Sequence, residues 1–102
     1  MCVKETIIRY IDLYAGSEKR IVENATKDHF YEFRNENKTK IAVEESINWL
    51  IDNKYISVVN YDAMTDMQKS FYQSDGYCRI FKIIKRYNES EYIKERYGSQ
   101  QF

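Results

Sequence analysis

The side chains of this sequence that could do chemistry are few and badly spaced for it. Metal binding and general-base catalysis both lean on histidine, and the chain has one, His29, whose place near a helix end reads as a surface position. Neither Cys2 nor Cys78 has a second cysteine or a histidine within the short spacings that zinc sites use. Gly16, Gly76 and Gly98 are too scattered to build a phosphate-cradling loop. Glu44 and Glu45 are adjacent carboxylates, but neighbours on a helix point about 100° apart and cannot share a substrate. The expectation is a protein with no metal, no cofactor and no enzymatic activity. Cys2 and Cys78 lie far apart, with Cys2 in a terminus expected to fray, so no disulfide is expected and a reducing cytoplasm fits best.

Charge and composition narrow the partners. Sixteen basic residues balance sixteen acidic ones, so the whole chain has no field to draw it onto DNA or anionic lipid. Locally, residues 77–88 hold Arg79, Lys82, Lys85 and Arg86 with no acid among them. Ten tyrosines and five phenylalanines exceed what a minimal core needs and suggest a surface that stacks or docks on something, although an A- and T-rich genome would encode a similar excess. No apolar run approaches the ~20 residues of a membrane span, and the first ten residues carry charges where a signal peptide is apolar, so neither membrane insertion nor export is expected. The 102 residues suit one domain.

The elements that must position these residues follow from apolar spacing. Val3, Ile7, Ile11 and Tyr14 recur at helical intervals, and that helix ends at Gly16. Ser17 then caps a second helix carrying Ile21, Val22 and Ala25 and ending before Tyr31. Residues 32–40, EFRNENKTK, read as a loop. Val43, Ile47, Leu50 and Ile51 form the stripe of a third helix over 38–51, with Ile47 and Leu50 in the core, Trp49 half-buried beside them, and Asn53 ending it in a left-handed conformation. The period then changes to two. Tyr55–Tyr61 reads as a strand with Ile56 and Val58 on one face and Tyr55, Ser57 and Val59 on the other, and Tyr77–Arg86 reads as its hairpin mate across a polar stretch that ends in the turn Asp75-Gly76. Ser90 is a candidate cap for a short helix holding Tyr92, Ile93 and Tyr97, followed by a disordered end.

Three helices followed by a two-stranded hairpin make an α+β chain, and Thr39–Val59, TKIAVEESINWLIDNKYISVV, resembles the recognition helix and first wing strand of the winged helix-turn-helix family. The resemblance covers roughly residues 3–87. The chain departs from it in having Asn53-Lys54 where the family usually has glycine, and in the length of EFRNENKTK. It implies a winged-helix domain over 1–88, with a C-terminal helix and tail over 89–102. It also implies a small transcriptional regulator that binds double-stranded DNA, with homodimerisation through the terminal helices. On that reading Lys38, Thr39 and Lys40 approach the major groove, Asn48 reads a base edge, and Lys69, Arg79 and Lys82, with Lys85 and Arg86, contact flanking phosphates. Glu44 and Glu45 lie within the same helix and oppose phosphate, and Lys82 and Lys85 can equally be guards on an edge strand. The competing expectation is a protein–protein adaptor on the same scaffold, such as a small phage- or plasmid-encoded effector, favoured by zero net charge and by Tyr10, Tyr14, Tyr31, Tyr72 and Tyr92. The placement of the basic residues discriminates: convergence on one face with Lys38 and Lys40 favours DNA, and interspersed acids favour a protein.

Overall fold

The computed structural model describes residues 1–97, so the disordered end expected from the sequence lies, from residue 98, outside the described residues. The chain is α+β. Helices α1 (Val3–Leu13), α2 (Glu18–Phe33) and α3 (Glu36–Asp52) precede strand β1 (Ile56–Val58), a 3-10 turn (Tyr61–Ala63), helix α4 (Asp66–Ser74), strand β2 (Phe81–Ile83) and helix α5 (Glu89–Tyr97). The strands pair antiparallel, with Ser57 opposite Lys82.

The apolar stripes meet as their spacing requires. Ile7, Ile8 and Ile11 of α1, Ile21 and Ala25 of α2, and Val43, Ile47 and Leu50 of α3 converge on Ile56 and Phe81 of the hairpin. Between α1 and α2 the chain reverses through Ala15 and Gly16, both at positive φ. A Cβ on Gly16 would stand 2.0 Å from the Phe81 carbonyl oxygen, so only glycine lets this junction approach β2. That approach makes Ser17 a one-residue third strand bridging Ile80, flanked by bonds from the Phe81 N–H to the Gly16 carbonyl (2.9 Å) and from the Glu18 N–H to the Arg79 carbonyl (3.0 Å).

Several local expectations are corrected. The loop expected over 32–40 is a two-residue turn: α2 continues past Tyr31 to Phe33, Arg34 takes φ 52°, and Asn35 caps α3 by accepting the Lys38 N–H at 3.0 Å. Glu36 and Asn37 are therefore helical, and α3 starts two residues before the expected position 38. At the far end of α3 it is Lys54 (φ 63°) and not Asn53 (φ −93°) that turns left-handed. The Ser17 hydroxyl makes no cap bond, because it donates to Asp75 (2.6 Å). Asn88, and not Ser90, accepts the Glu91 N–H at the start of α5. Cys2 is not frayed. It caps α1, and its N–H donates to Glu5 (3.1 Å).

The hairpin differs most. Each strand is three residues long, and the polar stretch between them folds as α4 under a capping box in which the Thr65 hydroxyl accepts the Gln68 N–H and the Gln68 side chain accepts the Thr65 N–H. Helix α4 packs at the hairpin tip, placing Phe71 and Tyr72 beside Val59, Met64 and Ile80 in a second small core. At the hairpin base Tyr55 is covered by Trp49 and Tyr87. Because packing differs at the base and at the tip, alternation fails as a guide: Tyr55 and Val59 are buried while Val58 is 44% exposed.

Candidate interaction surfaces

The residues expected to hold DNA are not brought together. Thr39 is fully buried on the inward face of α3, where its hydroxyl donates to the Asn35 carbonyl (2.7 Å), so it cannot reach a groove. Lys38 and Lys40 are exposed, but two residues on a helix point about 160° apart, so they flank α3 on opposite sides. Asn48 is exposed between them on an outward face that also carries Glu44, Glu45 and Asp52. Arg79 is neutralised by a two-point pairing with Glu18 (3.1 and 2.6 Å). Lys69 lies half-buried on α4 with its ammonium 5.0 Å from the Tyr61 ring. Lys82 is exposed on β2. Arg86 pairs with Asp12 (2.8 Å) and Lys85 with Glu95 (3.8 Å). Acids thus intersperse the basic residues.

Tyrosines gather instead on the outer side of the hairpin. The Tyr72 ring lies 5.8 Å from that of Tyr61 and 5.3 Å from that of Tyr77, and the three border a shallow pocket of about 260 Å³ with Val58 and Met64. Tyr77 is 69% exposed and has φ 62°, a left-handed conformation that a bulky side chain adopts at a cost of roughly 1–3 kcal/mol. Such strain persists only where the surroundings enforce it. Here the Tyr77 N–H is held by the Tyr72 carbonyl (2.7 Å), and Asp75, which ends α4, is tied to the body by Ser17 and by two-point pairing with Arg20 (3.0–3.2 Å). Burial pushes the Asp75 carboxyl up, but the bonds from Arg20 and Ser17 outweigh it and leave it below the usual carboxylate range.

Of the tyrosines singled out from composition, Tyr92 packs edge-on against Trp49 (5.3 Å) and docks α5, Tyr10 bonds Asp28 and stacks near Tyr14, Tyr31 is exposed, and Tyr72 sits in the trio. Tyr61 and Tyr77 carried no sequence signal beyond the Asp75-Gly76 turn.

Two clusters bear on catalysis and metal binding. His29 is buried and not at the surface: its Nε2 lies 2.7 Å from the Thr6 hydroxyl and its Nδ1 3.0 Å from the Glu32 carboxylate. Carboxylate, imidazole and hydroxyl in that order are the parts of a nucleophilic relay, but Thr6 is 4% exposed inside the α1–α2 contact, out of a substrate's reach. The relay joins two helices. The Cys2 thiol lies within 4.8 Å of the Glu5 and Glu89 carboxylates, a set of atoms that could meet a metal ion. Burial and those carboxylates push the thiol up, against the thiolate a metal needs, and Glu5 already accepts the Cys2 N–H.

No family model, curated protein or solved structure matches the chain. No described helix is long and apolar enough to cross a membrane.

Proposed function

We propose that this chain is a non-enzymatic protein-interaction module on a winged-helix-like scaffold, and that its interface is the tyrosine surface of the hairpin and α4. The observation that carries the reading is Tyr77, exposed, strained and set edge-on against Tyr72 at the rim of a shallow pocket that Val58 and Met64 also line. Tyrosine offers large, rigid contact area at low entropy cost, and protein interfaces are enriched in it. A photoreactive phenylalanine analogue at position 77, in the native host cell, is expected to yield a discrete protein adduct that Tyr61→Ala weakens. The same analogue at the exposed Asn48 should yield none. No adduct from position 77, or an equal one from position 48, would overturn the reading.

A second reading, sequence-specific binding of double-stranded DNA by a transcriptional regulator, is favoured by one observation. Three helices leading into an antiparallel hairpin are the order that the winged-helix resemblance implies, and Lys38, Asn48 and Lys82 remain exposed on it.

A further inference from the structure

The two edges of the hairpin are not alike. Strand β2 lies between β1 and the Ser17 bridge, so Lys82, a candidate edge guard, stands on the middle strand. The free edge is that of β1, and its sequence Ile56-Ser57-Val58 has neither charge nor proline to blunt it. The ladder fixes which of its groups face outward. The Val59 N–H donates to the Ile80 carbonyl (2.8 Å) and the Ile84 N–H to the Tyr55 carbonyl (2.8 Å), so positions 55, 57 and 59 bond to β2 and positions 56 and 58 face away from it. Phe81, opposite Val58, follows the same alternation, its N–H turning away from β1 to the Gly16 carbonyl.

Ile56 is buried, so the open part of this edge begins at the exposed Val58. Among the described residues neither the N–H nor the carbonyl of Val58 has a hydrogen-bond partner. The same holds for the N–H of Asn60, two residues further along an extended backbone (φ −69°, ψ 148°). These groups open beside the tyrosine surface, because Val58 and Asn60 line the same pocket of about 260 Å³ as Tyr61, Tyr72 and Tyr77. What matches a donor and an acceptor on one strand edge is another extended main chain. A residue paired with Val58 points its side chain to the face that Val58 occupies, and there it meets the pocket.

We infer that the occupant of the tyrosine surface is an extended segment of a different protein, added as a strand to the free edge of β1 with one large apolar side chain in the tyrosine pocket. The inference rests on the protein-interaction reading above and gives that interface its mode of binding. Main-chain bonds to Val58 and Asn60 set the register, and the pocket selects the side chain. Strand β1 is too short to hold a partner by main-chain bonds alone, so both parts are needed.

In the free chain, hydrogen exchange followed by NMR should show the Val58 amide unprotected between the protected amides of Ser57 and Val59. In a lysate of the native host cell, the chain carrying the photoreactive phenylalanine analogue at position 77 should form an adduct with a different protein. Val58→Pro removes the outward N–H without breaking the β1–β2 ladder, and should reduce that adduct by roughly tenfold, the effect of leaving a partner carbonyl unsatisfied. Val58→Thr keeps the N–H and should leave the adduct unchanged. A synthetic chain with an ester in place of the Val58 amide removes the same donor without a ring, and should behave as Val58→Pro does even where proline disturbs the fold. An adduct retained by the ester chain leaves the tyrosine interface standing and overturns the strand addition. A Val58 amide already protected in the free chain, or an adduct with the mass of two copies of this chain, overturns it as well. No adduct from position 77 in the chain with its edge intact overturns the interface and the inference together.

Discussion

At the scale of single residues, tertiary surroundings and not residue type decide what each titratable group does. His29, expected at the surface, is enclosed because it continues the Ile21–Ala25 stripe of α2; Glu32, one turn on, meets its Nδ1, and only the Thr6 hydroxyl at its Nε2 comes from a distance in sequence. Tyr87 is the clearer case for measurement. Burial first, and then the Glu89 carboxylate, push its hydroxyl from the ordinary value near ~10 up to about 12. A group raised in the folded state contributes stability that is complete below its unfolded value and is lost as pH rises through the folded one. Titration of tyrosinate absorbance should therefore show a group that ionises only near the alkaline unfolding of the chain. Tyr87→Phe should remove it and move that unfolding to higher pH. A Tyr87→Phe profile superimposable on that of the unmodified chain would refute the assignment.

At the scale of elements, two polar joints at the α1–α2 junction add to the shared core in holding the hairpin and α4 to the helices. Gly16→Ala places a Cβ against the Phe81 carbonyl and forces an unfavourable left-handed conformation, so it should cost about 3 kcal/mol or more and separate Ser17 from Ile80. A melt within about 0.5 kcal/mol of the unmodified chain, the range of an ordinary surface substitution, would show that the junction tolerates the side chain. The second joint is Asp75, which latches α4 to Ser17 and Arg20. Its carboxyl is lowered in the fold, so the latch is complete above the unfolded value near ~3.9 and is lost as pH falls through the folded value. Asp75→Asn should increase hydrogen exchange over residues 61–78 at neutral pH, with the difference from the unmodified chain vanishing in strong acid. Equal exchange at neutral pH would remove the latch. These elements were legible in unequal measure. The stripes Ile7–Ile11 and Val43–Ile47–Leu50 mark α1 and α3 because one face of each meets one core. Helix α4 lacks a long apolar stripe, because its packing residues, Phe71 and Tyr72, are only two and meet Val59 and Ile80. The capping box at Thr65 and Gln68 and the acidic Asp66 in the first turn are its local marks.

At the scale of the whole molecule, the question is whether the neutral charge total conceals a basic face. The run of Arg79, Lys82, Lys85 and Arg86 looks uniform in sequence, yet folding brings Glu18 to Arg79 and Asp12 to Arg86 from distant elements, and Glu95 to Lys85 from the helix that follows. Thr39 faces the core because it stands four residues before Val43 on the stripe of Ile47 and Leu50, a placement that helical spacing carries and that its polar side chain masks. Lys38, Lys40, Lys69 and Lys82 remain outside such pairs, and Lys38 and Lys40 point to opposite sides of α3. Were all four to touch phosphate, counterion release would weaken duplex binding roughly a hundredfold between about 50 and 200 mM salt. The paired and dispersed arrangement predicts otherwise. Fluorescence anisotropy with duplex DNA of mixed sequence should show no micromolar binding at low salt, and Lys82→Glu should change nothing. Micromolar affinity that falls steeply with salt and is reduced by Lys82→Glu would return the chain to the DNA-binding class and leave the tyrosine surface without its assigned role.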